Sequence, residues 1–138
     1  MIPSLDREKA IAIAVNLLMH ESPRLAQALK DLLTFVPNPT YTKDVLEAAV
    51  IKLVDTCPAS ALWLFQHPEV LAPHIQAREI IAQRLTENLL SLGYTLEDFH
   101  FTANYSLEMS ESMKSSLLTC QQETSNQAVI ALINDLLL

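Results

Sequence analysis

The chain has 138 residues, half of them apolar and only 18% charged, which fits one domain with a core of its own and leaves apolar side chains over for a partner. Sixteen acidic against nine basic residues give a net charge of -7, so the average field repels phosphate backbones and direct nucleic-acid binding is not expected. The apolar run Ala10 to Met19 contains Asn16 and falls short of the ~20 residues a membrane helix needs, and Asp6 and Glu8 ahead of it do not suit a secretion signal; the expectation is a cytoplasmic protein with no membrane contact.

In chain order, the first apolar run predicts a helix over about 5–20. Ser22-Pro23 pairs a capping hydroxyl with proline at the first helical position, where a missing N–H costs nothing, and starts a second helix over about 23–35 along Leu25, Ala28, Leu29, Leu32 and Leu33. "VPNPTYT", Val36 to Thr42, reads as a rigid, extended connection, because a residue before proline is pushed out of the α region. Over about 42–56 the residues Val45, Leu46, Ala49, Val50, Leu53 and Val54 form one broad apolar face opposite Lys43, Glu47 and Asp55.

Cys57-Pro58 opens a short helix over about 58–66, and His67-Pro68-Glu69 repeats the signal for a long one over about 69–92. Its stripe of Ile81, Leu85, Leu89 and Leu92 stops at Gly93, the one glycine in the chain, which therefore reads as the left-handed residue that closes a helix. "TLED" and "TSNQ" resemble capping boxes headed by Thr95 and Thr124, predicting helices over about 96–119 and 125–137. The first of these carries β-formers in "FHFTANYS", so a break near 102–105 is expected, although Tyr105, Met109, Met113 and Leu117 keep an i, i+4 stripe. The predicted helix starts are irregularly spaced, which argues against a repeat of constant period. The fold class that results is all-α: a single domain over 1–138, a bundle of six to seven helices in the style of irregular helical hairpins.

Chemistry-bearing motifs are sparse. His67 and His74 stand seven apart beside Glu69 and Glu79, a spacing that suits one face of a continuous helix, but Pro68 and Pro73 spoil it. His20-Glu21 and Asp98-His100 are adjacent only in sequence. There is no G-x-S-x-G, S-x-x-K or P-loop. Cys57, at a predicted helix start, is the best nucleophile candidate, yet a small buried residue is the plainer reading. Cys57 and Cys120 lie far apart and outside any C-x-x-C pattern, which suits free thiols. No catalytic residue, metal ligand or cofactor site is assigned.

Two apolar segments are candidate partner-binding elements. "ASALWLFQHPEV" holds the single tryptophan, Trp63, beside Phe65 and is apolar nearly all round, so it is either packed on every side or presents an aromatic anchor. "VIALINDLLL" ends in Leu136, Leu137 and Leu138, which should dock into the core or pair with another chain. The function expected is non-catalytic: a protein–protein interaction module, an adaptor, assembly factor or inhibitor offering apolar grooves between helices to another protein, with a homodimer as the default symmetric association. One alternative is an acidic nucleic-acid mimic or antitoxin-like inhibitor of a basic site. Interleaving of Arg7, Lys9, Arg24, Lys30, Lys43 and Lys52 with the acidic residues favours solvated faces with local ion pairs instead. A second alternative is a small-ligand-binding helical protein or enzyme.

Overall fold

The computed structural model describes residues 7–34, 39–103 and 106–137. Over them the chain is an all-α bundle of seven helices: α1 (Arg7–Leu18), α2 (Pro23–Thr34), α3 (Pro39–Thr56), α4 (Pro58–Gln66), α5 (Ala77–Ser91), α6 (Glu111–Glu123) and α7 (Gln127–Leu137). One two-stranded hairpin, β1 (Phe99–Phe101) and β2 (Leu107–Met109), lies between α5 and α6. No helix of the described residues is long and apolar enough to cross a membrane.

The broad apolar face of α3 dictates the arrangement. A helix apolar over so wide an arc can only be satisfied by neighbours on several sides, and α1, α2, α4, α5 and α7 all pack against it. Val45, Leu46, Ala49, Val50 and Leu53 are consequently closed to solvent. The axis of the bundle is therefore α3, while α4 is a packed neighbour that touches α3, α5 and α7.

Local signals set several boundaries. Ser22 Oγ accepts from the Leu25 amide at 3.4 Å at the start of α2, and Pro58 occupies the first turn of α4 behind Cys57. Gly93 has φ +100°. Its N–H donates to the Leu90 carbonyl at 3.0 Å and the Tyr94 N–H reaches back to Leu89 at 3.2 Å, the paired bonds of a Schellman turn that ends α5.

Elsewhere the chain departs from the helical reading. Thr40 to Thr42 belong to α3, which begins at Pro39 in place of an extended connection; proline is pre-shaped for a first helical turn. Residues Val36 to Asn38 lie outside the described residues. The helix expected over 69–92 is split: Pro68–Val70 form a 3-10 turn, residues 71–74 turn again, and α5 starts only at Ala77. Pro73 explains this, since inside a helix it would remove an i→i−4 bond and clash with the turn before it.

The larger correction concerns 96–119. Thr95 and Asp98 do form cap-like bonds, Thr95 N–H to Asp98 Oδ2 at 2.8 Å and Glu97 N–H to Thr95 Oγ1 at 3.4 Å, but the chain leaves them as a turn and enters β1. The strands pair antiparallel, Phe99 opposite Met109 and Phe101 opposite Leu107. Period-two alternation then decides the outcome, because Phe99 is buried while His100 and Glu108 face outward, 3.1 Å apart. Met109 is thus a strand residue, Met113 and Leu117 are the buried residues of α6, and Tyr105 lies outside the described residues. Ser110 is the true cap of α6, accepting from the Met113 amide at 3.1 Å. Thr124 ends α6, and Asn126 caps α7 by accepting from the Ala128 amide at 3.0 Å.

Candidate functional site

The residues singled out from the sequence fall mainly into packing roles. Phe65 is only 3% exposed, and its ring meets that of Phe101 with centroids 5.4 Å apart, which pins the hairpin onto α4. Trp63 is half-buried and stacks on His67 at 4.7 Å, while His67 Nδ1 lies 2.9 Å from the Trp63 carbonyl. That imidazole serves the end of α4. Leu136 is buried and Leu137 is half-buried against the core, so these two leucines dock inward; Leu138 lies outside the described residues.

The polar candidates do not converge. Among the described residues no three of His, Cys, Asp and Glu come together in a group that could hold a metal. His100 meets Glu108 across the hairpin, whereas Asp98 accepts from Thr95. Cys57 and Cys120 are free and half-buried, and Cys57 Sγ lies 3.2 Å from Ser60 Oγ, a hydroxyl partner and not a base.

What the bundle does build is a cleft where α3, α5 and α7 meet. Val54 and Asp55 reach it from the last turns of α3; Arg84, Asn88 and Ser91, at i, i+4 and i+7, reach it from one face of α5, with Leu92 just beyond; Ala128, Val129 and Leu132 close it from α7. The Schellman turn at Gly93 fixes where the α5 backbone turns away and so where Leu92 stands. The cleft encloses about 220 Å³. That is below the roughly 300–1,000 Å³ of sites that engulf a small molecule, and it suits one or two inserted side chains.

Its polar lip is held by a network across 29 positions of sequence. Arg84 donates to both carboxylate oxygens of Asp55, Nε at 2.9 Å and Nη2 at 2.6 Å, and Asn88 Nδ2 adds a third bond at 2.9 Å. Burial raises the Asp55 pKa, but the bonds from Arg84 and Asn88 and the guanidinium charge outweigh it and hold the carboxyl below its usual range. Chemically this is the reverse of a general base, which enzymes tune up toward neutrality. Arg84 also donates to Glu87 at 3.3 Å, so its guanidinium is committed to two carboxylates of this chain.

A second, smaller cleft of about 150 Å³ continues from the first along the α3–α5 seam, lined by Glu47, Ile51, Ile80, Gln83, Arg84 and Glu87, with Arg84 common to both. Two larger depressions lie elsewhere, one of about 500 Å³ beside α6 that is the most open to solvent, and one of about 480 Å³ around the 3-10 turn. None of the seam residues was picked out from the sequence as a site. The available signals were weak: Asp55 on the polar side of α3, and Arg84 and Asn88 one turn apart on α5. Nothing local says that these meet.

No family model matches this chain, and no curated protein or solved structure matches it.

Proposed function

We propose that this protein is a non-catalytic interaction module that binds another protein through the seam between α3 and α5, with the cleft closed by α7 as the anchoring pocket. The single observation that carries this reading is the composition of that cleft. Apolar walls from Val54, Leu92, Val129 and Leu132 surround a polar lip whose own groups already satisfy one another. Such a lip needs no ligand for its stability, yet it fixes the shape of a pocket sized for an inserted side chain, which is how a binding hot spot is built. Exposed Ile51 and half-buried Ile80 extend apolar contact beyond it.

The reading is tested with a photocrosslinking amino acid in place of exposed Ala128, at the cleft, and in place of exposed Ala72, away from it, each expressed in the native cell. A discrete protein adduct from position 128 that is absent from position 72 is the expected result. Equal adducts at both positions, or none at 128, would refute it.

A further inference from the structure

Resting on the docking reading above, we infer that the occupant of the α3–α5 seam is a cationic amphipathic helix of a partner protein. Two properties of the seam lead there. Its lining carries three carboxylates, Glu47, Asp55 and Glu87, against one guanidinium, Arg84, a local balance of 1 − 3 = −2 within a chain whose net charge is -7. Arg84 is bound to Asp55 on two sides and to Glu87 on a third, so it has little left to offer an anionic partner. A cationic residue at the rim gains from both the nearby glutamates and the field of the whole protein.

The second property is backbone chemistry. The helices α3, α5 and α7 line the seam with side chains and present no unpaired strand edge. An extended peptide pressed into the apolar part would leave its N–H and C=O groups unsatisfied, at a cost comparable to lost hydrogen bonds. A helix satisfies those groups internally and lays an apolar stripe into the groove. From Ile80 to Leu92 the seam runs twelve residues along α5 and just past its end, or about 18 Å, enough for roughly three turns of a partner helix. Its apolar stripe would meet Ile51 and Ile80 at one end and Val129 and Leu132 at the other, with lysines or arginines flanking the stripe against Glu47 and Glu87.

The probe is a fluorescein-labelled synthetic helix of about 14 residues built from leucine and lysine, long enough to span the seam, compared with versions carrying glutamine or glutamate at every lysine. Fluorescence anisotropy should show binding of the lysine peptide that weakens with salt, little binding of the glutamine peptide, and none of the glutamate peptide. Glu47→Lys with Glu87→Lys should weaken the lysine peptide by about tenfold or more. Glu8→Lys with Glu69→Lys, the same change in net charge away from the seam, should leave it unaltered. Val129→Asp should abolish binding; if that variant fails to fold by circular dichroism, Ile51→Asp at an exposed position takes its place. If the glutamine peptide binds as tightly as the lysine peptide and Val129→Asp or Ile51→Asp weakens both, the seam docks helices but the cationic claim is wrong. If no peptide binds, or binding ignores every seam substitution, the docking reading falls with it.

Discussion

Asp135 of α7 caps a helix 76 positions away: its Oδ2 accepts the Ala59 N–H at 2.7 Å at the start of α4. The preceding residues cannot perform this task. Pro58 has no N–H, and the Cys57 side chain, in the capping position, makes no bond to a backbone N–H of the turn. A carboxylate delivered by α7 therefore satisfies an open amide and meets the positive end of the α4 dipole, joining the C-terminal helix to the bundle by a polar bond as well as by Leu132, Ile133 and Leu136.

Asp135→Ala should accordingly cost about 1 kcal/mol in urea unfolding, the usual loss for an N-terminal cap, while Asp135→Asn, which keeps an acceptor oxygen, should cost much less. Equal losses for both would show that charge and not the hydrogen bond dominates.

Shortening Leu136 tests whether the end of α7 belongs to the core. Leu136→Ala should cost about 2–4 kcal/mol as a cavity-forming change in a buried position. Light scattering should give the same molecular mass for the intact protein and for a chain ending at Asp135. A drop in mass on truncation, with the urea midpoint unchanged, would place the leucines at an interface.

At Gly93 the backbone alone sets the requirement. A Cβ added there meets nothing within 4 Å, but φ is +100°. Gly93→Ala should therefore lower stability by about 1–2 kcal/mol with no change in packing, and the loss should appear in thermal melts as a lower midpoint with unchanged helical content. An unaffected midpoint would mean that α5 does not depend on the left-handed turn.

Acid should weaken the seam. Asp55 is held below its usual range, so it contributes stability that is present above the unfolded value of about 3.9 and is lost as pH falls through the folded value. Asp55→Asn should be less stable than the native chain by about 0.5–1 kcal/mol near neutrality, a modest figure because the pair is partly exposed. That gap should narrow below about pH 4, as the native carboxylate itself becomes protonated. A gap constant from neutral to acid pH would remove the ion pair from the account. Asp44, depressed by Arg7 in the same sense, is more exposed and should respond more strongly to salt.

The all-α class, the starts of α2 and α4 and the end of α5 follow from the sequence itself. Ser22-Pro23, Cys57-Pro58 and Gly93 act through bonds within one turn, and the apolar face of α3 repeats at the helix's own period. Each is a local fact about the chain. Residues 96–110 were not legible in this way, because Thr95-x-x-Asp98 makes the same cap-like bonds before a turn as before a helix. What turns that segment into a hairpin is the burial of Phe99 and the seating of Phe101 on Phe65, contacts that exist only once α4 is in place. The cleft is likewise a product of docking: Arg84 meets Asp55 across 29 positions, and α7 supplies the third wall. Periodicity reports which face of a helix is apolar, whereas the packing of three helices decides which polar groups meet at their common edge and where a gap between them remains.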